Sequence, residues 1–122
     1  MTKEDRELLL KDLCARLPYG VIGVTNEGNQ TPLLVRGEAE WDIVTSINYR
    51  IEKFGWRPYL RPMSSMTEEE RLEYMNITHA QNWLIIGEAD KYFDWLNAHH
   101  FDYRGLIGKG MALPAKENMY ND

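Results

Sequence analysis

The chain has 122 residues, 43% hydrophobic and 27% charged, with four Trp and seven Tyr, the size and make-up of one domain spanning 1–122 that can build its core without staples. Its net charge is −5, and residues 62–122 carry all of it, ten acidic side chains against five basic; this argues against broad phosphate binding, which needs a surplus of Lys and Arg. The longest apolar run, residues 83–86, falls far short of the roughly 18 residues that a membrane span needs.

Residues 3–17 read as a helix. Thr2 is a suitable N-cap, acidic residues fill the first turn, and Leu9, Leu10, Leu13 and Leu17 form one apolar stripe. Pro18 ends it, because proline disfavours helical geometry in the residue before it. Cys14, at the edge of the stripe, reads as an inert packed thiol. A lone cysteine and an opening with no signal-peptide pattern point to a reducing cytoplasm.

Residues 19–25 and 30–36 read as two strands around a turn at Asn26-Glu27-Gly28-Asn29. Pro32 places the second strand at an edge or near its own start. From Trp41 to Ile51 the odd positions are Trp, Ile, Thr, Ile, Tyr and Ile while the even ones are mostly polar, which favours a half-buried strand. A helix through Trp41, Val44, Ile47 and Ile51 is the competing reading. Gly55, Pro58 and Pro62 then predict a turn leading into a short extended segment. Thr67-Glu68-Glu69-Glu70 is a capping box opening a helix over about 67–77, and its three glutamates suit the positive end of the helix dipole rather than a metal. Residues 88–100 make the clearest helix, with Ala89, Tyr92, Phe93, Leu96 and His100 on one face and Trp95 and His99 at its rim. That spacing predicts burial of Tyr92, Phe93 and Leu96. After Pro114 the chain is expected to fray.

Candidate chemistry is sparse. His99 and His100 project about 100° apart while a helix continues and converge only if it ends at Ala98; no third ligand is in evident reach. Gly105-Leu106-Ile107-Gly108-Lys109-Gly110 is a superficial phosphate loop without the Lys-Ser/Thr ending. No nucleophile, zinc or nucleotide motif occurs, so neither an enzyme nor a metal or cofactor site is expected. Residues 49–61 interleave Arg50, Lys53, Arg57 and Arg61 with Tyr49, Phe54, Trp56 and Tyr59. Such a surface could stack bases and neutralise phosphates; the competing reading puts the aromatics in the core and the cations at its solvent edge.

Two dense segments, residues 57–70 and 94–107, mix aromatic, cationic and proline or glycine residues. They resemble a family of short proteins of anaerobic gut bacteria and their prophages, which pairs Pro-Tyr-Leu-x-Pro-x-Ser-Ser-Met-Thr-Glu-Glu (here 58–69) with Asp-Trp-Leu-Asn-x-x-x-Phe-Asp-Tyr-Arg-Gly-Leu-Ile (here 94–107). The opening Leu13-Cys14-Ala15-Arg16-Leu17-Pro18-Tyr19-Gly20-Val21 shares the likeness. The resemblance implies bacterial or prophage origin and transfers no catalytic residue.

The expected fold is α+β: an N-terminal helix, a small antiparallel sheet over about 19–61, with an SH3-like barrel as one form it could take, and C-terminal helices packed on it. The expected function is a non-enzymatic module that binds a protein partner. The alternative is a nucleic-acid accessory protein acting through residues 49–61. Candidate contacts are Arg50, Lys53, Arg57, Tyr59, Arg61, Trp95, His99, Tyr103 and Arg104.

Overall fold

A computed structural model of the chain describes residues 2–33, 43–80 and 89–120. Helix α1 (Lys3–Arg16) opens with a full capping box: Thr2 Oγ1 accepts from the Asp5 amide at 3.1 Å and the Asp5 carboxylate accepts from the Thr2 amide. Leu9 and Leu13 of the expected stripe are buried, with Leu8, Leu10, Cys14 and Leu17 packed around them. Burial pushes the Cys14 thiol pKa up, which keeps it protonated and unreactive. Pro18 sits in a single 3-10 turn, Leu17–Tyr19, that follows the helix directly.

Strands β1 (Ile22–Val24) and β2 (Gln30–Pro32) pair antiparallel around the expected turn, with Gly28 at φ 85° and its amide on the Thr25 carbonyl. β2 lies at the edge of the sheet, where Pro32 loses no ladder bond. Residues 34–36 of the expected second strand lie outside the described residues.

Residues 43–54 are a helix, not the expected strand. In α2 (Ile43–Phe54) the pair Ile47 and Ile51, four apart, is buried in one cluster with Leu9 and Leu13, while Val44, Tyr49 and Phe54 face solvent. The alternation was coincidental: packing two helical residues against α1 outweighs the strand preference of a β-branched segment. Trp41 lies outside the described residues. Gly55, at φ 62°, closes α2 with its amide on the Ile51 carbonyl, and the Trp56 amide reaches Arg50.

The extended segment after the turn is β3 (Arg57–Leu60), antiparallel to β1. α3 (Glu68–Ala80) and α4 (Ala89–Ala98) follow, and β4 (Leu113–Pro114) returns to pair with β3 in parallel. The sheet order is β2-β1-β3-β4. The fold is therefore α+β, with four helices among the described residues, but the sheet is mixed and open. It neither closes into an SH3-like barrel nor ends at residue 61.

Two further expectations are corrected at the C-terminal end. Residues 115–120 are tied down rather than frayed. The Tyr120 hydroxyl accepts from the Ile22 amide at 3.0 Å and lies 2.6 Å from the Tyr59 carbonyl, bridging β1 and β3 just beyond their paired residues; its ring stacks on His100. Burial pushes the Tyr120 phenol up to about 12, so it stays a donor at neutral pH. On α4, Leu96 is fully buried but Phe93 is 42% exposed and Tyr92 only half-buried. The buried face runs through Leu96 and Asn97 instead. Leu96→Ala should then cost about 2–5 kcal/mol, and Phe93→Ala less, about 0.5–1.5 kcal/mol, the worth of an aromatic ring pair. Urea unfolding of the two variants checks this; equal losses would contradict the placement.

Candidate interaction surface

The capping box that opens α3 forms as expected. Thr67 Oγ1 accepts from the Glu70 amide at 3.1 Å, and Glu70 Oε1 accepts from the Thr67 amide at 3.0 Å. Glu70 does more than cap. Both its oxygens accept from Arg61, at 2.6 and 2.7 Å, and Oε2 lies 3.2 Å from His99 Nδ1. Arg61 also donates toward the carbonyls of His99 and Ser65, and its guanidinium lies 4.3 Å from the Phe101 ring centre. The Arg61 guanidinium, helped by the Thr67 amide and against partial burial, holds the Glu70 carboxyl at about 2, below its ordinary 4.5.

A depressed folded-state pKa adds stability that is present above the unfolded value and lost as pH falls through the folded one. Glu70→Gln should thus be less stable than the parent at neutral pH, and the gap should close between pH 4.5 and about 2. Urea midpoints of both proteins across that range test it; a constant gap would refute the coupling to Arg61.

From this ion cluster a chain of aromatic rings runs along the seam between α3 and α4. Phe101 stacks with Trp95, which lies 4.3 Å from His99 and 5.9 Å from Tyr74. Tyr74 meets Tyr92, their hydroxyls hydrogen-bonded at 2.7 Å. Burial, and then the Tyr74 hydroxyl, push Tyr92 up to about 12. Tyr92 meets Phe93 edge-on, and Phe93 lies 5.4 Å from Tyr103. At this far end the Tyr103 hydroxyl donates to Asn97, and Arg16 and Arg104 lie over its ring at 5.3 and 5.0 Å. Spacings of about 5–6 Å are those of favourable ring pairs, so the seam is held in one arrangement. The Trp95 indole donates to the exposed Glu73 at 3.2 Å, which sets a carboxylate beside the rings.

Of the sequence-stretch candidates, Arg61, Trp95 and His99 thus share one end of the seam, and Tyr103 and Arg104 form the other. The rest are elsewhere. Arg50 on α2 donates to the Pro32 carbonyl, Lys53 lies over Tyr49, and Arg57 is half-buried in β3. Tyr59 is a core residue, its ring approached by Lys116. Residues 49–61 therefore do not form one continuous surface: Trp56 and Tyr59 go inward and Arg61 is held by Glu70. Tyr74, which sequence reasoning did not single out, and Phe93, which it placed in the core, belong to the seam. The signal available was a second stripe on α4, Tyr92, Trp95 and His99 at helical spacing, facing the Glu70-Tyr74 side of α3.

The remaining motifs have structural work. α4 ends at Ala98, yet the two histidines do not converge: His99 turns to Glu70 and His100, at φ 65°, to Tyr120. Asp102 accepts from the Leu106 and Ile107 amides at 2.8 and 3.0 Å, so these donors of the glycine-rich loop are already occupied by a carboxylate. Among the described residues no three His, Cys, Asp or Glu side chains are grouped to hold a metal, and no helix is long and apolar enough to cross a membrane. Beside β2, an open groove of about 480 Å³ is lined by Ile22, Pro32, Met119 and the polar Gln30, Thr31, Lys116 and Glu117.

Residues 57–70 and 94–107 meet in space. Arg61 and Phe101 form a parallel bridge, with the Arg61 amide on the His100 carbonyl and the Asp102 amide on the Arg61 carbonyl. Much of both segments is scaffold: Leu60, Leu96, Phe101 and Leu106 are fully buried. No protein-family model, curated protein or solved structure matches the chain.

Proposed function

We propose that the protein is a non-enzymatic interaction module that engages a protein partner through the aromatic seam of α3 and α4. The observation that carries this is the exposure of Phe93 (42%) next to the Tyr103 end of a run of rings otherwise fixed by mutual packing and hydrogen bonds. Rigid aromatic side chains offer large contact area at little cost in conformational entropy, and they dominate contact energies at protein interfaces. We further propose a bacterial or prophage setting for that partner, as the resemblance of residues 58–69 and 94–107 implies. Nucleic acid is the weaker reading, because the cations of residues 49–61 are spread over α2, β3 and the Glu70 cluster.

A photo-crosslinking phenylalanine analogue placed at position 93, and separately at the exposed Val44 of α2 as a control, tests the proposal in bacterial lysate. Protein adducts formed from 93, absent from 44 and unaffected by nuclease, are expected. Equal labelling from both positions, or none from 93, would overturn the reading. Adducts destroyed by nuclease would transfer the case to nucleic acid.

A further inference from the structure

We propose that Tyr74 and Tyr92 join in a covalent dityrosine bond when the protein meets hydrogen peroxide and a haem peroxidase, and that this bond fastens α3 to α4. The first ground is geometry. All seven tyrosines lie among the described residues, and Tyr74 and Tyr92 are the pair that meets ring to ring. Their hydroxyls are 2.7 Å apart and their ring centres only 5.6 Å apart, with 49° between the planes. Phenols set in line through their oxygens would hold their centres much farther apart. These rings instead fold toward each other about the hydrogen bond, which brings together the carbons ortho to the two oxygens. An oxidised phenol carries much of its unpaired electron on those carbons, and two such rings couple there. Both residues are half-buried, so an electron can be drawn from them while their packing keeps the pair in register. Trp95, also half-buried and 5.9 Å from Tyr74, gives a second point of electron removal.

In the reaction each phenol gives up one electron and its hydroxyl proton. The two rings then form a carbon–carbon bond between ortho positions, and the hydrogen on each joined carbon moves as a proton to the phenolic oxygen, restoring both hydroxyls. The two electrons and two protons released reduce one hydrogen peroxide to two waters. The second ground is how α3 is held. None of its side chains from Glu68 to Ile77 is buried. Polar and ring contacts tie it to β3, α4 and the turn after α4: Glu70 to Arg61 and His99, Glu73 to Trp95, and Tyr74 to Tyr92. A bond between Tyr74 and Tyr92 spans 18 residues of chain, and like a disulfide it would withdraw that loop's freedom from the unfolded state.

Treatment of the dilute full-length chain with hydrogen peroxide and a haem peroxidase tests this by mass spectrometry. The expected product is a monomer lighter by two hydrogens, with the blue fluorescence of dityrosine. Trypsin cuts after Arg71, Lys91 and Arg104, so Tyr74 and Tyr92 should leave on one joined fragment. Tyr74→Phe and Tyr92→Phe each keep the ring and should lose this product, whereas Tyr49→Phe, at an exposed position on α2, should retain it. The fragment map of the parent needs no variant, so it decides the case even where a variant misfolds. The joined monomer should also unfold at a higher urea concentration than the untreated chain. Covalent dimers through other tyrosines with no joined fragment, or oxidation confined to Trp95 and the methionines, would overturn the proposal. A joined monomer with an unraised urea midpoint would overturn the fastening of α3.

Discussion

Asp12→Ala is expected to remove about 3–5 kcal/mol of stability, the loss that follows when a buried charge is stripped of its partner. Asp12 and Arg16 are both fully buried, one turn apart on α1. The Arg16 Nε and Nη2 donate to the two carboxylate oxygens at 2.7 and 3.1 Å, Nη2 also reaches the Phe101 carbonyl, and Arg104 adds a donor to Oδ1 at 3.1 Å. Nη1 has no acceptor among the described residues, so the guanidinium depends on Asp12 for its compensation. Asp12→Leu combined with Arg16→Met should recover much of the loss, because a buried pair and an apolar replacement of similar volume are nearly equivalent in energy. Denaturant unfolding of the single and double variants measures both. A single-variant loss below about 1 kcal/mol would mean that water reaches the pair.

Trp56→Ala should cost about 3–5 kcal/mol, the range for truncating a large buried aromatic. The ring is 1% exposed, belongs to the main core cluster and donates its indole N–H to Thr31 Oγ1 at 3.1 Å. It lies against Gly23 of β1, where an added Cβ would collide with the ring and with the Arg57 carbonyl. Gly23→Ala should therefore destabilise by about 1–3 kcal/mol through overpacking. The two changes should be less than additive, since removing the ring relieves much of the collision. A double-mutant cycle in urea decides this; additive losses would place the Trp56 ring away from β1.

Both sites bear on what was readable beforehand. Trp56 was open to two readings, base-stacking platform or core residue, and only the absence of a side chain at Gly23 lets β1 accept its ring. Asp12 and Arg16 at i, i+4 look like any solvent-exposed helical pair. Their burial depends on Phe101 and Arg104, more than 80 residues away in the chain.

What could be read along the chain was local: the Thr2 and Thr67 caps, the turn before β2, the extended stretch after Gly55 and the helical nature of α1, α3 and α4. Each rests on hydrogen bonds or steric limits acting within a few residues, and such signals are present wherever the residues occur. Over residues 43–54 the β-branched alternation pointed to a strand, and the spacing of Val44, Ile47 and Ile51 to a helix. Tertiary structure decided between them, because Ile47 and Ile51 of the helix pack into one buried cluster with Leu9 and Leu13 of α1. It alone decided the parallel return of β4, the anchoring of Tyr120 on β1 and β3, and the outward turn of Phe93. Those outcomes depend on which distant surfaces compete for the same side chain, here Asn97 drawn inward by the Tyr103 hydroxyl and Tyr92 drawn to Tyr74, and no periodicity within one helix records that competition.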